Sequence, residues 1–212
     1  MTKPAERLVN SDRVLLSIVG VSVVTVVVGA ALLFRDNADI EARQGAMLGL
    51  TAQAIDNTWT LYSMEVASKL TDPAAGYSDS DIPVLAHGVP IPASFALKLA
   101  DRLTHDIPGQ ICRIYSDYPF PQRDGAGGVQ DNFGRLALEH LSQDPSMPCI
   151  RDETVAGRPM LRYAQAIVMD ASCVECHNAH PSSPKRDWKV GDVRGVLEVS
   201  QVSRASWFGS GG

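Results

Sequence analysis

The chain has 212 residues, of which 45% are hydrophobic and 20% are charged, and its formal net charge is −5. This composition excludes a disordered chain, and about 178 residues beyond a distinctive N-terminal segment suffice for one domain with its own core. The charge is mildly negative and no stretch concentrates Lys and Arg, so we expect no nucleic-acid partner, which would require a dense positive face.

The N-terminal segment predicts a transmembrane helix over residues 14–34. These 21 residues carry no charged side chain and lie between Arg13 and Arg35. A helix of this length crosses a hydrocarbon layer of about 30 Å. The alternative is a cleaved signal peptide, because Gly29-Ala30-Ala31 would serve as a small-residue cleavage site. A buried helix of a soluble domain fits less well, since the run has no polar face.

The positive charges beside this segment predict its orientation. Lys3, Arg7 and Arg13 precede it, whereas only Arg35 and Arg43 follow it closely. Positive residues favour the cytoplasmic side of a membrane, which makes residues 1–13 cytoplasmic. We therefore expect a single-pass protein of the bacterial inner membrane whose soluble domain lies in the periplasm.

Residues 35–72 predict one long helix that continues out of the membrane and carries two apolar stripes. The first stripe lies within about one quarter of the helix circumference. It consists of Leu48, Ile55, Trp59, Tyr62, Val66 and Leu70, and the opposite stripe consists of Leu50, Ala54, Leu61 and Met64. One stripe would pack on the domain and the other on the same helix of a second copy, forming a homodimer. The alternative is that both stripes are buried within one domain.

The remaining sequence predicts an α+β domain over residues 73–203, followed by a tail at 204–212. Apolar periodicity and turn residues indicate the elements in chain order. These are a helix at 93–106, a strand at 110–116, a helix at 130–143, a hairpin at 149–169 turning at Ala156-Gly157, and a strand at 193–202. Helices towards the front and strands towards the back favour an antiparallel sheet with flanking helices.

The motif Cys173-Val174-Glu175-Cys176-His177 is the attachment pattern of c-type haem. Two thiols at this spacing can add across the two vinyl groups of one porphyrin, and the adjacent imidazole can bind the iron. We therefore predict one covalent haem c, with Cys173 and Cys176 as thioether donors and His177 as the proximal iron ligand.

Two other functions of the motif remain open. A thioredoxin-like dithiol would need a strand-to-helix junction, whereas the motif follows a strand-rich stretch and precedes the loop 181–184. Half of a zinc site would need a second Cys or His pair at suitable spacing. Cys112 and Cys149 are isolated, and His180 follows His177 too closely.

Two longer segments carry a family resemblance. One is Arg113-Ile-Tyr-Ser-Asp-Tyr-Pro-Phe-Pro121, and the other covers residues 162–198, which include the cysteine motif. Together they resemble the c-type-haem-binding, PAS-like sensor family first described in a cyanobacterial cytochrome, over roughly residues 40–200. The resemblance implies a PAS-like fold, a long N-terminal helix and a haem pocket between helix and sheet. In family members with a similar Ser-Asp-Tyr-Pro-Phe-Pro stretch, the domain often precedes a nucleotide cyclase or another signalling domain.

The sequence departs from the family in two respects. The founding type is thought to take its second iron ligand from a Cys on the long helix, and residues 36–72 contain none. No second span and no output domain occur before Gly212. We expect either a stand-alone haem protein or the sensing half of a longer one.

Several other residues are candidates for roles around the iron. Met64 is a candidate second axial ligand, although a Met in an apolar stripe is more often core. His87 would cap the distal side, and His180 would bond a propionate or the backbone. A basic group is either paired with the propionates or solvated, and it consists of Lys185, Arg186, Lys189 and Arg194. Cys112 and Cys149 are a disulfide, iron ligands or buried thiols.

These observations predict a haem-based sensor module that responds to redox state or to a small diatomic ligand. A membrane-tethered electron-transfer cytochrome, which would meet a redox partner, is the alternative. We predict no catalytic residue, because an enzyme would need an acid–base pair beside an open iron position and the sequence indicates none.

Overall fold

The structure is a computed structural model that describes the backbone of residues 4–67, 69 and 89–204, and within these ranges the side chains of residue 17 and of residues from 19 onward. The helices are α1 (Pro4–Tyr62), α2 (Pro92–Asp106), α3 (Asp124–Gly127), α4 (Asn132–Gln143) and α5 (Ala171–Ala179). The strands are β1 (Gln110–Tyr115), β2 (Cys149–Val155), β3 (Arg158–Val168) and β4 (Val193–Val202). The predicted α+β class, with an antiparallel sheet and flanking helices, is confirmed.

Helix α1 contains the predicted membrane span and continues from it without a break. It is the one helix in the described part of the chain that is long and apolar enough to cross a membrane, judged by length and composition. From Val19 to Phe34 every side-chain position except Gly29 is exposed. The predicted long helix 35–72 is confirmed as far as Tyr62, where a π-helical turn, Ser63–Ala67, follows. Leu70 lies outside the described residues.

The four strands form one antiparallel sheet in the order β1-β4-β3-β2. The β2–β3 hairpin turns at the predicted dipeptide, where Ala156 and Gly157 adopt φ angles of 49° and 78°. Positive φ at both central residues is the requirement of the tight turn that suits the twist of a hairpin. Strand β4 therefore lies in the middle of the sheet although it comes last in the sequence.

One face of the sheet packs against α1 and α2. The core of this face consists of Leu48, Ala52, Ile55, Ala100, Cys112, Leu161, Leu197 and Val199. Gly49 lets α1 approach closely, since a Cβ there would lie 3.1 Å from the ring of Tyr163 in β3. The first predicted stripe of α1 thus faces the domain through Leu48 and Ile55. The second stripe is exposed, so the two stripes are not both buried in this chain.

The other face of the sheet packs against α4 around a buried cation. The guanidinium of Arg162 donates to both carboxylate oxygens of Glu198, at 2.9 and 3.0 Å. It also pairs with Asp131 at 2.9 Å and Glu153 at 3.3 Å, and it lies 4.1 Å from the ring centroid of Phe133. Asp131 is the N-cap of α4 and accepts from the backbone of Gly134 at 2.8 Å. This network joins α4 to three strands.

The sheet separates Cys112 from Cys149, whose state the sequence left open. Cys112 lies in edge strand β1 and faces α1, whereas Cys149 lies in the opposite edge strand β2 and packs against the α4 side. Three strand spacings amount to about 14 Å, well beyond the reach of a disulfide. Both cysteines are free thiols, so the disulfide alternative is wrong within one chain.

Helix α5 carries the cysteine motif, and no pattern in the sequence predicts this helix. The carboxylate of Asp170 caps its first turn by accepting from the backbone N–H of Cys173 at 2.8 Å. The side chain of Asn178 exchanges two hydrogen bonds of 3.0 Å with the backbone of Trp188 at the other end. No residue of α5 is fully buried, so these polar contacts at its two ends position the helix.

We expect Arg162→Met to destabilise the fold strongly. Glu198 is 1% exposed and would remain buried without its partner, a situation that costs roughly 3–5 kcal/mol. Denaturant unfolding of the full chain, followed by circular dichroism, measures the loss. The matched control is Arg102→Met, which removes an exposed ion pair with Asp106 and should cost about 0.5 kcal/mol or less. Equal losses in the two variants would contradict a structural role for the buried network.

We expect Asp170→Ala to loosen α5 specifically, because a lost N-cap costs about 1 kcal/mol. Hydrogen exchange at the backbone amide of Cys173 should accelerate several-fold, while amides of α4 stay unchanged. Asp170→Ser keeps a capping oxygen and should stay near the original rate. Unchanged exchange in Asp170→Ala would mean that the cap does not hold the helix.

Candidate functional site

A cavity of about 330 Å³ lies at the end of the sheet where β1, β3 and β4 meet α2 and α5. Its walls are mostly apolar, and Trp59 brings the end of α1 to them. The apolar walls include Trp59, Ile91, Leu97, Ile114, Phe120, Ile167 and Met169. A space of this size lies within the range of small-molecule and cofactor sites.

All three residues predicted to hold haem line this cavity. Cys173, Cys176 and His177 are spaced i, i+3 and i+4 along α5, a spacing that places side chains on one face of a helix. The motif therefore presents two thiols and an imidazole to one apolar space. Cys173 and His177 are half-buried, and Cys176 is exposed.

The imidazole of His177 is held in the form that binds metals. Its Nδ1 atom is buried and has no hydrogen-bond partner among the described residues. Burial, together with the positive charge of Arg194 and with His180, lowers the pKa of His177 to about 4. The ring is thus neutral at neutral pH, and neutral imidazole is the ligating species.

Phe120 lies beside the motif and belongs to residues 113–121, the resembling segment that does not contain the motif. Its ring centroid lies 5.3 Å from that of His177 and 5.0 Å from that of His180. Nδ1 of His180 accepts from the backbone N–H of Ser182 at 3.1 Å, which fits the predicted backbone bond. The contact with Phe120 thus joins the two segments in space.

Three cations line the cavity, namely Lys98, Arg123 and Arg194. Burial and the charge of Arg123 lower the pKa of Arg194 to about 10, and burial lowers the pKa of Arg123. Of the predicted basic group, Arg194 alone is among the described lining residues. Arg123 was missed because it follows a proline-rich segment with no pattern that indicates where its side chain lies.

Met64, the predicted second iron ligand, is not among the residues that line the cavity. It is 62% exposed. Trp59 does line the cavity, whereas Met64 lies beyond the end of α1, in the π-helical turn Ser63–Ala67. The geometry gives the Met64 prediction no support. Cys112 and Cys149 do not line the cavity either, and His87 lies outside the described residues.

The position of the motif agrees with the dithiol alternative, but the pKa of its first thiol does not. The motif does lie at a strand-to-helix junction, directly after β3, contrary to the sequence expectation. However, burial raises the pKa of the Cys173 thiol, and the charge of Asp170 acts in the same direction. A redox-active dithiol needs a thiol whose pKa is lowered. No group of three or more His, Cys, Asp or Glu side chains that could hold a metal ion occurs in the described ranges, so they offer no zinc site either.

The residues around the cavity fit an iron porphyrin. Its apolar faces match the walls, its two vinyl groups match the thiols, and its iron matches the orphaned neutral imidazole. Its two carboxylates are of opposite charge to Arg123 and Arg194. The fit rests on donor types and cavity walls in this chain.

Comparison with known proteins agrees with the motifs. A family model described as Tll0287-like matches residues 35–201. No curated protein and no solved structure matches the chain. The matched range contains the cavity, both resembling segments and the whole sheet, and the chain therefore belongs to the Tll0287-like family.

Proposed function

We propose that this protein is a membrane-anchored, extracytoplasmic haem sensor that carries one c-type haem. Cys173 and Cys176 form the two thioether bonds, each thiol adding across one vinyl group, and His177 provides an axial nitrogen. The observation that carries the proposal is that one face of α5 directs these three side chains into one apolar cavity. Family membership supports a sensor-like haem domain.

Each part of the cavity has a task in this function. Bound there, the porphyrin iron supplies a centre that changes charge on reduction and can take a diatomic gas. Asp170 and Asn178 position α5, and Phe120 packs against the axial imidazole. The apolar walls exclude water, which strengthens the effect of any charge change inside.

The end of α1 favours a sensor over an electron carrier. Trp59 is the one residue of the described α1 that lines the cavity, and an indole is not an iron ligand. The chain thus has no counterpart there of the helix Cys of the founding type. With no ligand supplied by that helix, the iron would more readily keep a position for a gas, whereas electron transfer is best served by two strong protein ligands.

Helix α1 is the route by which a change in the cavity would reach the membrane. Near the cavity the hydroxyl of Tyr62 donates to the carbonyl of Pro90 at 2.6 Å, and its ring stacks on Phe95 at 4.2 Å. These contacts join the end of α1 to α2, which also lines the cavity. A ligand acts through this route only to the extent that it favours one of two arrangements of α1.

The exposed stripe of α1 supports a parallel homodimer. Met47, Leu50, Ala54, Asn57, Leu61 and Met64 alternate at spacings of three and four residues, the pattern of a coiled-coil seam. Leu50 and Leu61 are 68% and 61% exposed. Asp56 is the single charged residue between residues 44 and 64. Two copies that enter the membrane through the same N-terminal segment have the same orientation, so their α1 helices are parallel. A parallel arrangement suits a coiled-coil seam along the exposed stripe.

Covalent attachment is tested by expressing the full chain in a bacterium competent for c-type maturation. The chain should stain for haem on a denaturing gel and gain the mass of one haem. Cys173→Ala/Cys176→Ala should abolish the stain, while the control Cys112→Ala/Cys149→Ala should keep it. Absence of covalent haem in the unaltered chain would falsify the proposed function.

The same preparation distinguishes the two roles of the iron. In a sensor, CO should bind the reduced protein rapidly and shift its absorption spectrum, and NO should do so as well. A six-coordinate low-spin spectrum that neither gas alters would instead favour the electron-transfer cytochrome. Met64→Leu should leave the spectra unchanged, because Met64 lies away from the cavity.

The dimer is tested by disulfide cross-linking in membranes. Leu61→Cys, in a chain that also carries Cys112→Ala and Cys149→Ala, should form a covalent dimer on mild oxidation. Ala42→Cys is exposed on α1 but lies off the seam, and it should cross-link at least tenfold less. Equal cross-linking at the two positions would show that copies meet by collision rather than along the stripe.

A further inference from the structure

The charges around the cavity are unbalanced. Lys98, Arg123 and Arg194 line it, and no Asp or Glu is among the described residues that do so. Within the described part of the chain, no carboxylate forms a salt bridge with Arg123 or Arg194. Desolvating a cation without an anionic partner is unfavourable, so this arrangement indicates a ligand that brings negative charge.

Arg194 is held in place rather than left free to reach solvent. One of its terminal nitrogens donates to the hydroxyl of Ser116 at 2.5 Å. The guanidinium carbon lies 5.4 Å from the ring centroid of Trp188 and 5.9 Å from that of Phe120. Its Nε atom is buried and has no hydrogen-bond partner among the residues described. Planar guanidinium groups are suited to bidentate binding of carboxylates.

Arg123 complements Arg194 from a different element. It ends the 3₁₀ turn Pro121–Arg123, directly after Phe120, which contacts the imidazole of His177. Its side chain is half-buried and lines the cavity, and its charge is close enough to lower the pKa of Arg194. Two neighbouring cations with these properties would repel each other unless two negative charges lie between or beside them.

We propose that Arg123 and Arg194 form a binding site for a pair of carboxylates, and that these are the two propionates of the haem. The inference rests on the proposed function, since it names which residues hold the acidic edge of that group. Lys185, which is half-buried, and the exposed Arg186 and Lys189 take no part, since they do not line the cavity.

The test compares two porphyrins that differ only at the carboxylates. The full chain carrying Cys173→Ala and Cys176→Ala is reconstituted in lipid nanodiscs and titrated with iron protoporphyrin IX or with its dimethyl ester. Binding is followed by quenching of tryptophan fluorescence. The free acid should bind at least about tenfold more tightly than the ester, because hydrogen bonds to charged groups are strong. Arg123→Gln/Arg194→Gln should remove this difference between the free acid and the ester.

The control is Lys189→Gln, which removes a positive charge near the cavity from an exposed side chain that does not line it. This variant should keep the full preference for the free acid. If the chain that retains Arg123 and Arg194 bound the free-acid porphyrin and the ester with equal affinity, the inference would be overturned. The proposed haem site would then still stand. Failure of both porphyrins to bind would overturn the inference as well, whereas the proposed function is tested separately by the haem stain of the unaltered chain.

A third arm separates the propionates from a free dicarboxylate. Glutarate is added at millimolar concentration to the same chain before the free-acid porphyrin. It should not weaken the subsequent binding of the porphyrin. Saturable competition by glutarate, lost in Arg123→Gln/Arg194→Gln, would mean that the arginine pair serves a soluble dicarboxylate and would overturn the assignment to haem.

Discussion

The buried guanidinium of Arg162 constrains the whole α4 side of the sheet. It binds the carboxylate of Glu198 in the central strand and that of Asp131 at the start of α4, so the helix and the strand have one relative position. Removing either partner would leave a charge in the core. Near its start, strand β4 also carries Arg194 and Gly195, which line the cavity. The ion network therefore determines where the cavity wall lies, although it contacts no residue of the cysteine motif.

Most of the fold was predictable because its patterns are local and long. Leu48 and Ile55 repeat with the helical period, and Ala156-Gly157 is a turn dipeptide between two strands; both act as predicted. Helix α5 was not predictable in the same way. It has nine residues and no buried stripe, and it depends on Asp170 and on a bond between Asn178 and Trp188, which are ten positions apart. Such contacts exist only once the surrounding loop has folded.

The residues of the candidate site also differ in whether local sequence patterns predict them. The spacing of Cys173, Cys176 and His177 predicts their chemistry from the sequence alone, and the structure brings all three to one cavity. The position of Arg123 opposite Arg194 arises from the pairing of β1 with β4, which brings together segments about 70 residues apart. Met64 illustrates the reverse error. Its residue type suits iron, but it lies in the π-helical turn that follows α1, and its side chain does not line the cavity.

The unbroken course of α1 sets the distance between the cavity and the apolar segment that the sequence predicts to span a membrane. From Phe34, where the apolar segment ends, to Trp59 at the cavity wall is a rise of about 38 Å along the helix axis. In the proposed orientation, a carrier dissolved in the bilayer, such as a quinone, is too remote to exchange electrons directly with a group in the cavity. Under the proposed function, the oxidants and reductants that reach the cavity would be soluble molecules of the outer compartment, and the sensor would report on that compartment rather than on the respiratory state of its own membrane.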